Sequence, residues 1–175
     1  MRSELRQTLG YIIARQQDDR GLASHVARGA RLETEHEAYP YLSRALAVLD
    51  GPARTGFIRA CGLAIGLTAG SNQPLGRNLA CLSHAVSGRW PGTNPDGIGT
   101  KVQLLPHLGL EPAAVVLDGL LRRCAIEGVG VNAFSLADTL MGWESGDATA
   151  DYRHRNSLIY DFFTPKTTTE EHVRP

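Results

Sequence analysis

Apolar residues in this chain recur every three or four positions, and no stretch alternates apolar and polar residues in the manner of a half-buried strand. That pattern predicts an all-α fold. The periodic segments predict about nine helices: Glu4 to Gln17, Arg20 to Leu32, Pro40 to Leu49, Ala53 to Ala69, Leu75 to Val86, Lys101 to Leu108, Glu111 to Glu127, Ser135 to Trp143 and Thr149 to Phe163. Asp18-Asp19 stands where a helix start needs a side-chain acceptor. Asp50-Gly51-Pro52 and Gly70 to Pro74 are breaks. Short connections between helices of this length predict mostly antiparallel packing.

The strongest interruption is Ser87 to Thr100 (SGRWPGTNPDGIGT), with four glycines and two prolines in fourteen residues. It predicts two small helical bundles packed end to end, an N-terminal one over 1–90 and a C-terminal one over 101–163. The remainder, 164–175 (TPKTTTEEHVRP), has almost nothing to bury and is expected to be disordered. The last two helices are joined by the turn Glu144 to Asp147. They are expected to form a hairpin in which Trp143, Phe162 and Phe163 meet a Leu136/Leu140 stripe.

At 175 residues and 42% hydrophobic content, the chain can bury a sizeable core. It has no apolar run long enough to span a bilayer. The opening MRSELRQTLG lacks the apolar centre of a secretion signal, so a cytoplasmic protein is expected, with no membrane partner. Cys61, Cys81 and Cys124 are isolated within apolar segments and read as reduced thiols. The six histidines are scattered, with none of the spacings of a zinc site. A nucleophile elbow, a phosphate loop and a zinc-protease motif are all missing from the sequence. The carboxylates are not paired for metal-dependent nuclease chemistry. These readings predict no cofactor, no metal and no catalysis.

Charge carries the remaining signal. The formal net charge is zero, which argues against coating a nucleic acid by bulk attraction. Of 18 basic residues, only Lys101 and Lys166 are lysines. Arginine suits phosphate because its planar fork donates two parallel hydrogen bonds, although GC-rich coding produces the same bias. On the Arg20 to Leu32 segment, Leu22, Ala23, Val26 and Ala30 share one side, while Arg20, Ser24, Arg28 and Arg31 share the other. Arg77 lies opposite the Leu75/Leu79/Leu82/Val86 stripe. Arg122 points away from the Val116/Leu120/Cys124 stripe, and Arg123 sits at its border. Thr55, Gly62 and Gly66 share a side with Arg59, which reads as a close helix approach.

Several motifs, in order, resemble one family. Asp19-Arg20-Gly21-Leu22 to Ala27-Arg28-Gly29-Ala30 is similar to an acidic-Arg-Gly…Ala-x-Leu-Arg-Arg-Ala stretch, with Ala27 in place of its first paired arginine. Leu75-Gly76-Arg77-Asn78-Leu79 resembles a Leu-Gly-x-x-Leu segment, and Leu120-Leu121-Arg122-Arg123 a Leu-Arg-Arg-Leu-like element. Asn132, Leu136, Leu140 and Trp143 match an Asp-Trp…Leu…Leu…Trp run, and Phe162-Phe163 a closing aromatic element. The family is the small subunit of the type I-E CRISPR surveillance complex, Cascade (CasB family).

The resemblance implies a non-catalytic subunit that helps hold the guide RNA–target DNA heteroduplex and the displaced strand in antiviral defence. Its implied partners are the backbone and large subunits of Cascade, a second copy of itself, guide RNA and target DNA. Sequence would be read by base pairing, leaving the protein to contact backbones. The nucleic-acid-binding candidates are Arg20, Arg28, Arg31, Arg54, Arg77, Lys101, Arg122, Arg123, Arg153 and Arg155. One rival expectation is a purely structural bridging subunit with little nucleic-acid contact; a third is a small helical enzyme, which a buried, convergent cluster of polar residues would support. One continuous arginine stripe on the surface would favour binding; dispersed pairs would favour bridging.

Overall fold

Side-chain caps fix three helix starts. Asp19 accepts from the Leu22 amide at 2.9 Å. Asn132 accepts from the Phe134 and Ser135 amides, both at 3.1 Å. Asp147 accepts from Thr149 at 2.9 Å and Ala150 at 3.1 Å. Each cap satisfies amides that a first helical turn leaves without a partner. Pro40 and Pro52 sit in the first turns of their helices, where a missing N–H costs nothing.

The computed structural model describes residues 1–67, 71–89 and 97–164. Among the described residues there are nine α-helices and no strand. They are α1 (Ser3–Arg15), α2 (Arg20–Arg28), α3 (Tyr39–Leu46), α4 (Gly51–Ala64), α5 (Leu75–Ser87), α6 (Ile98–Leu104), α7 (Leu110–Ile126), α8 (Ala133–Met141) and α9 (Ala148–Phe163). Two 3₁₀ segments, Leu32–Ala38 and Leu105–His107, complete the set. The chain is all-α, as its periodicity predicts. No helix among the described residues is long and apolar enough to cross a membrane.

Several boundaries differ from expectation: the third helix ends at Leu46 rather than Leu49, and the sixth runs Ile98–Leu104 rather than Lys101 to Leu108, with a 3₁₀ segment completing it. The segment expected as one helix to Leu32 stops at Arg28, and a 3₁₀ segment occupies the gap before the third helix. α4 ends at Ala64 rather than near Ala69, with Gly66 following in a left-handed conformation. The expected disordered tail from 165 onward, and 90–96 of the expected linker, lie outside the described residues.

Buried apolar side chains form one cluster, from Leu5 in α1 to Phe162 in α9. The most extensive helix pairings are α4 with α8 and α5 with α9. Both join elements on opposite sides of the Ser87 to Thr100 stretch, so the residues expected in an N-terminal and a C-terminal bundle share a core along their lengths. The principal partners of α8 and α9 are therefore α4 and α5, not each other as the hairpin expectation had it.

Each pairing closes over a glycine. A Cβ on Gly56 would lie 2.2 Å from the Leu140 carbonyl oxygen, and one on Gly76 would lie 2.3 Å from that of Leu158. Backbone meets backbone at these points, and no other residue type fits without moving a helix. Cys61 and Cys124 are buried free thiols and Cys81 is half-buried. Burial pushes the Cys61 thiol far above its ordinary range and that of Cys124 up to about 12, which keeps both protonated.

Candidate nucleic-acid interface

The ten basic residues expected to meet nucleic acid fall into three groups. The first is spent on acids. Arg28 pairs with Glu37, which the 3₁₀ segment after α2 swings back onto it. On α7, Arg122 pairs with Asp118 at 3.0 Å and Arg123 with Glu127 at 2.8 Å, both one turn apart. The second group serves the fold. Arg155 donates from Nε and Nη2 to the Trp143 carbonyl at 2.7 and 2.5 Å, and from Nη1 to the Pro106 carbonyl at 3.4 Å. Its guanidinium also lies 5.5 Å from the centre of the Trp143 ring. Arg54 donates to the Leu46 carbonyl at 3.2 Å. Arg77 is half-buried within electrostatic reach of Asp161. The third group is Arg20, Arg31, Lys101 and Arg153. These four are exposed, and among the described residues their side chains make no hydrogen bond or ion pair.

Three of the ten converge. Arg28, Arg31 and Arg122 line one cleft of about 1080 Å³ between α2, the 3₁₀ segment, the end of α4 and α7. Its rim is balanced in sign, because Glu33, Glu111 and Asp118 line it too. Its walls are apolar, and the three most exposed large aliphatic side chains among the described residues stand there: Leu32 at 58%, Val115 at 73% and Ile126 at 77%. The other seven basic residues lie outside this cleft. The arrangement is therefore one of dispersed pairs around an apolar cleft, with four unpaired cations elsewhere on the surface or at its edge.

Sequence reasoning missed the most heavily bonded cation. Arg59 is fully buried in α4. Its Nε lies 3.0 Å from both Glu111 carboxylate oxygens, its Nη2 donates to Glu111 at 2.7 Å, and its Nη1 reaches Glu35 at 2.7 Å and the Gly29 carbonyl at 2.9 Å. Burial pulls its pKa down, and the two carboxylates more than restore it, so it stays charged. Glu35 is held in turn by the Tyr39 hydroxyl at 2.6 Å. Arg59 thus ties the 3₁₀ segment and α7, two walls of the cleft, to α4. The available signal was a lone cation amid the apolar run Phe57 to Ala64, since a buried charge needs partners.

A second, polar pocket of about 440 Å³ brings together Ser135, Ser157, His154, Asp138 and Asp161. Nucleophile, base and acid types meet here, and both serine hydroxyl oxygens and one His154 ring nitrogen have backbone partners. Ser135 accepts from the Leu75 amide at 2.9 Å, Ser157 donates to the His154 carbonyl at 2.7 Å, and His154 Nε2 lies 2.9 Å from the Thr139 carbonyl. Among the described residues, no group of three or more His, Cys, Asp or Glu side chains is placed to hold a metal ion.

Acid stability follows from four carboxylates, of which Glu4 is held low chiefly by a backbone hydrogen bond and one from Ser3. Asp151 is held low by hydrogen bonds from the Ser145 hydroxyl at 2.5 Å and the Ser145 amide at 2.7 Å. Glu37 is held low by Arg28 and, more weakly, by His25. A depressed folded-state pKa contributes stability above the ordinary carboxylate range, about pH 4, which is lost as pH falls through the folded value. Asp161 has the opposite sign: burial raises it, so its contribution favours the fold at low pH and fades as pH rises. Melting temperature should therefore fall as pH drops below about 4. In Asp151→Asn that fall should be shallower, with a lower plateau at pH 7. An Asp151→Asn profile parallel to the parent's would remove Asp151 from this account.

Comparison with protein-family models, with curated proteins and with solved structures gives no match to this chain.

Proposed function

We propose that the chain is a non-catalytic small subunit of a type I-E CRISPR surveillance complex, working in the cytoplasm, and that it acts chiefly by bridging neighbouring subunits. The observation that carries the bridging role is the cleft between α2, α4 and α7. Leu32, Val115 and Ile126 offer apolar anchors, while Arg28 and Arg122 are neutralised by Glu37 and Asp118. An apolar floor with a balanced rim suits a polypeptide better than a polyanion. The non-catalytic reading is supported by the sequence, from which a nucleophile elbow, a phosphate loop and a zinc-protease motif are missing.

Contact with the guide RNA–target DNA heteroduplex and the displaced strand is the second part of the proposal. It is favoured by the four unpaired cations, Arg20, Arg31, Lys101 and Arg153. Each one that meets a phosphate should contribute about 0.7 to 0.9 to the slope of log affinity against log salt.

Two variants of the full chain, each reconstituted with the other subunits, separate the roles. A cleft variant (Leu32→Ser, Val115→Ser, Ile126→Ser) should fold but fail to enter the complex. A variant with the four cations changed to alanine should enter it, yet bind target DNA with a shallower salt slope. If the cleft variant assembles like the parent, bridging does not run through this cleft. If the salt slope is unchanged, the four cations touch no phosphate.

A further inference from the structure

α9 presents a face that neither its packing nor the cleft accounts for. Its inner side is fixed: Leu158 and Phe162 are buried, Asp151 is tied to Ser145, and Arg155 is bonded to the Trp143 carbonyl. Its outer side carries Tyr152, Arg153, Asn156 and Tyr160, with Ser157 at the edge toward the polar pocket. The tyrosines are 59% and 69% exposed, and among the described residues neither hydroxyl makes a hydrogen bond. Tyr152 and Tyr160 are two helical steps of four apart, about 12 Å along the axis and roughly 80° around it. Arg153 lies nearly in line with Tyr160, about 20° around and two turns back.

Among the described residues, α9 itself puts no acid on this outer face. The α9 carboxylates and the one before its start are turned to other work. Asp147 caps the helix, Asp151 is buried at the turn, and Asp161 lines the polar pocket against α5 and α8.

We infer that this outer face of α9 is a stacking platform for single-stranded nucleic acid, with Tyr152 and Tyr160 each taking a base and Arg153 a phosphate. Exposed aromatic rings gain by covering an apolar π face, and every base supplies one, so the platform would be indifferent to sequence. The unpaired cation beside two exposed rings suits a polyanion better than a polypeptide. A duplex keeps its bases stacked on each other and offers these rings nothing, so the platform distinguishes single strands from double. A rigid helix holds the rings in place before binding, which lowers the ordering cost. The inference rests on the nucleic-acid part of the proposed function and gives it a strand and a site.

The test is fluorescence anisotropy of labelled oligothymidylate, and of a duplex of equal length, titrated with the full chain at low salt. The parent should prefer the single strand. Tyr152→Ala/Tyr160→Ala should weaken single-strand binding by at least about tenfold, because each lost stack corresponds to roughly 5- to 150-fold. Tyr152→Phe/Tyr160→Phe should retain it. Arg153→Ala should lower the single-strand salt slope by about 0.7. Circular dichroism should be unchanged throughout, since all three side chains are exposed.

Equal affinity for strand and duplex, or an alanine pair that binds oligothymidylate like the parent, overturns the inference while leaving the other cations in play. A parent that binds neither probe, alone or within the assembled complex, overturns the nucleic-acid part of the proposed function along with it. An alanine pair that keeps oligothymidylate binding but loses complex assembly makes this face a protein interface instead.

Discussion

Trp143→Ala should lower the melting temperature by on the order of 10 °C. Trp143 is fully buried just beyond the end of α8, past the C-cap Gly142. Its indole N–H donates to the Leu108 carbonyl at 3.0 Å, and its own carbonyl receives both bonds from Arg155. The residue therefore connects the segment before α7, the turn after α8 and the middle of α9. Cutting a buried tryptophan to alanine costs about 3–5 kcal/mol. For a chain of this size each kcal/mol shifts melting by about 2–4 °C. The alanine variant also removes the ring beneath the Arg155 guanidinium and leaves the Leu108 carbonyl without its indole donor. Trp143→Phe should cost less, because it keeps most of the volume and loses the hydrogen bond. The readout is thermal melting beside an assembly assay. A Trp143→Ala protein that melts like the parent yet fails to assemble would place Trp143 at an interface and overturn its assignment to the core.

How much of this was legible in the sequence depended on what set each element. Helices with a long apolar stripe came out within one or two residues, whereas the short α3 and α6 were missed by three or four at one end or both. Leu75 to Val86 was expected and Leu75–Ser87 is observed; Glu111 to Glu127 was expected and Leu110–Ile126 is observed. Boundaries set by tertiary contact did not. α2 stops at Arg28 although its apolar pattern runs on to Ala30. There, Gly62 of α4 comes so close that a Cβ would lie 2.2 Å from the Ala30 amide nitrogen. The close approach at Gly62 was readable from the run of small residues, but its partner was not. The 3₁₀ segment Leu32–Ala38 has too few residues per turn and too few apolar side chains to leave a periodic trace. It is held by Thr34 donating to the Arg28 carbonyl at 2.8 Å and by the pairing of Glu35 and Glu37 with arginines.

The candidate interface was legible to a lesser degree. The arginines were visible, and their exposed faces on α2 and α7 follow from periodicity. What neutralises them was only partly so. Arg122 with Asp118, and Arg123 with Glu127, are four apart on one helix, a spacing that announces the pair. Arg28 meets Glu37 only because an irregular segment folds back, and no spacing rule predicts that. Arg155 looked like part of a basic cluster with Arg153, yet the two point to opposite fates. One residue is turned inward to bond the Trp143 carbonyl, and the other stands free on the outer face of α9. Helical position separates them by about 200°, and that angle was available from the sequence. The identity of the inner partner was not.

Arg59→Ala should be comparably damaging, and for a different reason. The substitution removes the only positive charge between Glu35 and Glu111 in this buried network and strips the Gly29 carbonyl of a donor. Removing one partner from a buried ion pair costs about 3–5 kcal/mol, because the remaining charge keeps its desolvation penalty and loses its compensation. Here the cost should fall nearer the lower bound. Glu111 is 41% and Glu35 19% exposed, so water takes over part of the lost solvation. Arg59→Lys should fall between parent and alanine, since one ammonium cannot reproduce a fork that reaches Glu111, Glu35 and a carbonyl together. The triple change Arg59→Met, Glu35→Gln, Glu111→Gln separates charge from packing. It removes the ions together and should recover much of the loss, as replacing a buried pair by uncharged groups often does. Because Arg59 ties the 3₁₀ segment and α7 to α4, the alanine variant should also loosen the cleft, read as faster amide exchange in 32–38 than in α5. Unchanged melting in Arg59→Ala would mean that the network contributes nothing to stability. Unchanged exchange in 32–38 would mean that the cleft walls are held by apolar contact alone.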